Sequence, residues 1–227
     1  MSVVKVTVSP SFNENFELQD EVLYGHSLRK IDNIYTTFYG YNVNIPNSHV
    51  SHENYSPTHI VVSNFAIIRE RDEIKSPVLI TLVKGSFISL IKDNVVLLTC
   101  GTLGFIDLNS IRAITKDKNL IISSALSYLE VPYKWGGKTP MGIDCSGLVF
   151  MSYLLAGFTI YRDAILKEPL REINAKEMKP SDIIFFEGHV AIYLGNGNII
   201  HASSKNGAVK IEDLSKRGDI KRIGTYF

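Results

Sequence analysis

The sequence predicts an α+β fold preceded by two small β-barrels, on three observations. Up to about residue 112 the apolar runs are short and broken by Gly, Asn, Asp and Pro, as in "VVKVTV", "PVLITLV", "SFISLI" and "NVVLLT". From residue 116 the apolar spacing becomes helical, in "KDKNLIISSALSYLE". Short strands then return at "DIIFF", "HVAIYLG", "NIIHAS" and "RIGTYF".

The β half carries a weak internal repeat. Gly25 precedes Ile31 by six residues in "VLYGHSLRKI", and Gly85 precedes Ile91 by the same spacing in "LVKGSFISLI". A Gly-aromatic pair follows each, Gly40-Tyr41 and Gly104-Phe105. Two related β-barrels about 60 residues apart account for this, with a linker near "NSHVSHENYSPTH". The expected segments are therefore 1–57, 58–114 and 115–227. The first lacks a tryptophan-bearing strand and reads as truncated.

In the last segment Pro132 and Gly136-Gly137 end the first helix, and a second runs from about Cys145 to Ala156, ended by Gly157. That second helix is apolar almost all round (Leu148, Val149, Phe150, Met151, Tyr153, Leu154, Leu155), which predicts burial. "GNGN" joins two of the later strands as a hairpin.

The 227 residues are 45% hydrophobic and 21% charged, an ordinary globular composition. Twenty-four basic against 23 acidic side chains argue against a nucleic-acid or anionic-membrane surface built on bulk charge. The N-terminus has no basic stretch leading into an apolar run, and nowhere do about 18 apolar residues run together, so a cytoplasmic protein is expected. The two cysteines, Cys100 and Cys145, are too few for a disulfide framework and lack metal-type spacing. No metal or other cofactor is expected, and the oligomeric state is not legible.

Cys145 follows Asp144 where a glycine-rich loop, "KWGGKTPMGID", becomes a helix. At a helix start a thiol faces unpaired N–H groups and the positive end of the helix dipole, which favours the thiolate. Asp144 is a good N-cap, and that role alone would account for it. Its charge opposes a thiolate, so a positive partner is needed. Of six histidines, His26, His49, His52 and His59 lie in the β half and read as solvated. His189 opens the strand "HVAIYLG" and His201 interrupts "IIHAS". Helix cysteine, strand histidine, then a polar residue on the next strand is the papain-like order of nucleophile, base and base-orienting group. Cys100, in "VVLLTCGTLG", reads as a core residue.

"PYKWGG", "DCSGLV", "KPSDIIFF", "GHVAIYLGNG" and "IIHAS" stand in the order and at the spacings of the NlpC-type cysteine peptidases of bacterial cell-wall metabolism, and residues 118–227 resemble that family. The resemblance implies a papain-like C-terminal domain with Cys145 as nucleophile, His189 as general base and His201 as the residue that holds the imidazole. It implies that Tyr133 stands beside the nucleophile, where its hydroxyl helps to bind the oxyanion or substrate; packing alone is the other reading of Tyr133. Family members with small SH3-like domains in front resemble this chain most. They imply cleavage of the γ-D-glutamyl to diamino acid bond in short murein peptides with a free N-terminal L-Ala, as in wall recycling, with no metal. Asp144 and Ser146, with Glu17 from the first barrel, are then the candidates to bind the substrate amine. An N-acetylmuramoyl-L-alanine amidase and a non-catalytic wall-binding protein are the alternatives.

One constraint bears on His201. If Asn196-Gly197 were a plain two-residue turn, Gly195 would pair with Asn198 and His201 would lie opposite Ile192, on the other face from His189. Either the hairpin departs from that register, or His201 does not orient His189.

Overall fold

The computed structural model describes residues 2–32 and 34–227. The chain divides into two compact units, Met1–Ile114 and Thr115–Phe227.

The first unit contains two β modules built alike. One comprises β1 (Ser2–Val4), β2 (Val8–Phe12), β3 (Leu18–Leu23), β4 (Ser27–Ile31), β5 (Ile34–Thr37), β6 (Asn42–Val43) and β7 (Val50–Ser51). The other comprises β8 (His59–Val61), β9 (Phe65–Arg69), β10 (Val78–Val83), β11 (Phe87–Lys92), β12 (Val95–Leu97), β13 (Leu103–Phe105) and β14 (Ile111–Ala113). The sheet order β6-β5-β4-β1-β7 recurs as β13-β12-β11-β8-β14. The β2-β3 hairpin forms a sheet of its own, whereas its counterpart β10-β9 joins the second sheet through Phe105 opposite Arg69. Neither sheet closes on itself, so the expected barrels are seen as open sheets: the end strands β6 and β7 of the first have two residues each, and β14, with three, is too short to pair around with the six-residue β10 at the other end of the second.

Turn chemistry shows the repeat directly. Gly25 and Gly85 have left-handed φ of 76° and 91°, and their N–H groups donate to Val4 O and Val61 O, at the end of each module's first strand. Gly40 and Gly101, with φ of 76° and 82°, each close a turn by donating to the carbonyl three residues back, Thr37 O and Leu98 O. Gly101, not Gly104, is thus the counterpart of Gly40. Gly104 lies within β13, where a Cβ would meet Ile68 Cγ2 at 2.5 Å. The first module is also complete, with seven strands and a core of Val4, Val22, Leu28, Tyr35, Val43, Ile45 and Val50. Two residues differ from expectation. His26 is buried, its Nε2 donating to Gly85 O at 3.0 Å, because the two modules meet at Gly25 and Phe87. Cys100 is exposed in the turn before Gly101, its thiol bonded to Thr102 Oγ1, because the strand ends before it.

The second unit begins with α1 (Leu120–Leu126), then β15 (Lys138–Thr139), β16 (Gly142–Ile143) and α2 (Cys145–Leu155). β17 (Arg171–Glu172), β18 (Ile183–Phe186), β19 (His189–Gly195), β20 (Asn198–Ser203), β21 (Ala208–Asp213) and β22 (Arg222–Thr225) make an antiparallel sheet of order β17-β22-β18-β19-β20-β21. Every residue of α2 is buried, as its uniform apolarity requires, and the helix packs against α1, β19 and β20. No helix among the described residues is long and apolar enough to cross a membrane.

The hairpin β19-β20 departs from the plain register. Gly195 pairs with Asn198, but the next pair is Tyr193 with Ile199, so Leu194 is an extra residue in β19. Gly195, Asn196 and Gly197 all have positive φ, which lets the chain accommodate this bulge and turn. Continuing from Ile192 opposite Ile200, the register sets His201 opposite Ala191, on the His189 side of the sheet.

Candidate active site

Cys145 is the first residue of α2 and is 7% exposed. Asp144 caps the helix: its Oδ1 accepts from Gly147 N–H at 2.6 Å, and its Oδ2 accepts from Gly136 N–H at 2.8 Å. These bonds tie the glycine loop to the helix start and thereby place the thiol. The Asp144 charge is met by Arg162, whose Nη2 lies 3.1 Å from Oδ2 and whose Nη1 lies 3.2 Å from Oδ1. Ser146 bridges the pair, donating to Asp144 Oδ1 at 3.2 Å and accepting from Arg162 Nη1 at 2.7 Å. Asp144 and Ser146, the residues expected to meet a substrate amine, are thus buried and already bonded to a guanidinium.

The backbone N–H of Val190, the residue after His189, reaches the Cys145 sulfur, so the thiol meets the start of β19. Burial, then the Asp144 charge, push the thiol up to about 11, against the effects of its backbone donors and Arg162. The depression expected from the helix start is therefore outweighed, and the resting residue is a thiol. Tyr133, half-buried on the loop before β15, is pushed up to about 12 by burial and by Cys145 and Asp144, which places its hydroxyl within electrostatic range of both.

His189 and His201 are brought together: His189 Nε2 lies 3.0 Å from His201 Nδ1, with the rings edge to face. Burial, then Arg217 and His201, push His189 down to about 3; burial and Arg217 push the fully buried His201 down to about 4. Both imidazoles are neutral at pH 7. No hydrogen bond joins Cys145 to His189 among the described residues. Glu17 belongs to the other unit, at the β2-β3 turn, where its Oε2 accepts from Asn13 Nδ2 at 2.9 Å.

Three charged residues in this site were missed from sequence. Arg162 lies in "YRDA", where the buried charge of Asp144 was the only hint of a cation. Glu212 is on β21, which the apolar-polar alternation of "AVKIED" announces, and its Oε2 lies 3.3 Å from His201 Nε2. Arg217 follows that strand and carries no sequence signal. The described residues include no cluster of three His, Cys, Asp or Glu side chains grouped to hold a metal.

The model described as the NlpC/P60 family matches residues 130–224. Dipeptidyl-peptidase 6 of Lysinibacillus sphaericus is 32% identical over 237 residues, covering 91% of this chain and 88% of that protein. The chain belongs to the NlpC/P60 family. A second relative, gamma-D-glutamyl-L-lysine dipeptidyl-peptidase of Bacillus subtilis, is 31% identical over 42% of this NlpC/P60 chain, which spans only 36% of that protein. The crystal structure of an NlpC/P60 family protein from Bacillus cereus matches with a TM-score of 0.85 over 99% of both chains at 19% identity, which shows a shared fold.

Proposed function

We propose that this NlpC/P60 protein is a cysteine peptidase that hydrolyses the γ-D-glutamyl to diamino acid bond of peptidoglycan stem peptides. The observation that carries the reading is a single buried cysteine at a capped helix start, its sulfur reached by the N–H next to His189, which is itself paired with His201. The name of the Bacillus subtilis relative, which specifies a γ-D-glutamyl-L-lysine bond, supports the bond assignment, and that of the Lysinibacillus relative, a dipeptidyl-peptidase, supports the reaction class.

Cys145 gives its proton to His189 as its sulfur attacks the γ-carbonyl. The oxyanion develops near the start of α2, where the helix dipole and the Tyr133 hydroxyl stabilise it. His189 returns the proton to the leaving amine, and the resulting acyl-enzyme is hydrolysed by water activated by the same imidazole. His201 holds the ring throughout. We assign amine recognition for a free N-terminal L-Ala to Asp144 and Ser146, which stand on either side of the nucleophile and are held there by Arg162, and short recycling peptides in the cytoplasm as the setting.

The test is cleavage of L-Ala-γ-D-Glu-diaminopimelate, with products identified by mass. Wild type releases L-Ala-γ-D-Glu, and Cys145→Ala loses turnover while keeping its melting transition. Normal turnover by that variant would sink the reading, and cleavage of a muropeptide between N-acetylmuramate and L-Ala would replace it with the amidase.

A further inference from the structure

The two histidines share a neighbour for which the reaction above has no use. Arg217 Nη2 lies 2.8 Å from His189 Nε2 and 2.8 Å from His201 Nδ1. Its Nε lies 3.4 Å from the Glu212 oxygen that stands 3.3 Å from His201 Nε2. A guanidinium only donates, so both ring nitrogens that face it accept. Neutral His189 then carries its proton on Nδ1, and His201 carries its own on Nε2, which lies 3.3 Å from the Glu212 oxygen without a hydrogen bond to it. With Nε2 of His189 committed, Nδ1 is the nitrogen left for the thiol. To take the thiol proton there, His189 must hold its own proton on Nε2 and donate it to His201. Arg217 and that donation compete for the same two nitrogens. The resting arrangement is thus idle, in keeping with the missing bond between Cys145 and His189.

Arg217 can also be reached by substrate. It follows β21, its side chain is 24% exposed, and with His189, Phe186, Glu187, Asp219 and Lys221 it lines a cleft of about 330 Å³. A base that protonates a leaving amine stands within hydrogen-bond reach of that nitrogen. When the leaving group is an α-amino acid, its carboxylate is attached to the carbon next to the same nitrogen and must come to rest beside His189. A guanidinium there matches it in charge and in fork geometry. A leaving residue whose carboxyl is amidated offers no such charge.

We propose that Arg217 receives the free α-carboxylate of the leaving diamino acid, and that this capture draws the guanidinium off the histidine pair and releases it for proton transfer. The His189 proton then passes from Nδ1 to Nε2 by exchange with solvent, with no net change of charge, and the chain of hydrogen bonds runs Cys145, His189, His201. The inference rests on the bond assignment above for the identity of the leaving residue.

The experiment compares L-Ala-γ-D-Glu-L-Lys with its C-terminal α-amide on the full chain, as wild type, Arg217→Met and Arg217→Lys, with products weighed by mass spectrometry. Wild type is expected to prefer the acid by tenfold or more in kcat/KM. In Arg217→Met, kcat/KM falls on the acid and rises on the amide, and Arg217→Lys keeps part of the preference. Equal kcat/KM on the two peptides in wild type overturns the inference while leaving the bond assignment standing. An undiminished ratio in Arg217→Met, or equal losses on both peptides, also overturns it. If wild type cuts neither peptide, the bond assignment fails and the inference falls with it. Should Arg217→Met fail to fold, the wild-type and Arg217→Lys ratios decide.

Discussion

Asp144 stands next to the nucleophile and carries a charge that opposes a thiolate. The structure supplies the compensation in Arg162, which is 3% exposed and bonded to both carboxylate oxygens. Breaking a buried pair by removing one partner leaves an uncompensated charge and typically costs about 3–5 kcal/mol. Arg162→Met is therefore expected to lose stability of that order in urea unfolding; a loss below about 1 kcal/mol would mean that the pair is not held as described. The histidines make a second prediction. Both have folded values, about 3 for His189 and about 4 for His201, below the ordinary 6.5. Between those values and 6.5 the unfolded chain binds protons that the folded chain does not, so stability rises with pH across that window. It is fully present above 6.5 and is lost as pH falls towards 4 and below. Thermal melts from pH 4 to 7 should show Tm rising with pH, with a shallower slope in a His189→Gln, His201→Gln variant; an unchanged slope would exclude these groups as the source.

At the scale of elements, one residue decides whether the histidines can meet. A strand alternates its side chains strictly, so shifting the pairing by one residue exchanges the faces beyond it. Leu194 is that residue in β19. Standing outside the ladder, it sets Tyr193 opposite Ile199 and so His201 opposite Ala191; paired within the ladder, it would set His201 opposite Ile192, away from His189. Deletion of Leu194 removes the bulge and keeps those partners, so the histidines stay on one face and kcat is expected to remain within about tenfold of wild type. A fall of about 10²–10⁴, the usual contribution of a positioned base, would show that the bulge itself is needed to place His189. The same element carries the sharpest sequence-based expectation: alternation required either a bulge or a different orienter, and three consecutive positive φ values at Gly195, Asn196 and Gly197 show how the bulge is accommodated.

At the scale of the molecule, the chain consists of two units, each with its own apolar core. The fully buried α2 and the six-stranded sheet lie wholly within Thr115–Phe227, and so do Cys145, His189, His201, Arg162, Glu212 and Arg217. A segment with its own core and no strand borrowed from outside is expected to fold alone. Expressed by itself, 115–227 should melt in one cooperative transition and keep near-UV signals from its aromatic residues; a non-cooperative melt would show that the first unit is needed for folding.

What the sequence determines by itself is what depends on local pattern. The apolar helix behind Cys145, the strands around His189 and His201 and the glycine-punctuated repeat all follow from periodicity and turn residues, which act over a few positions. The family motifs lie in those same stretches. The misreadings fall where distant segments meet. His26 looked solvated because the second module that buries it begins more than 30 residues later, and Gly40 was paired with Gly104 because an aromatic neighbour is a weaker mark than the φ shared by Gly40 and Gly101. Arg162, Glu212 and Arg217 had no local signature at all. Only the tertiary structure sets those charges against Asp144 and the histidine pair, because a charge acts through space, and its partners are chosen by the packing of α2 and the sheet rather than by its neighbours along the chain.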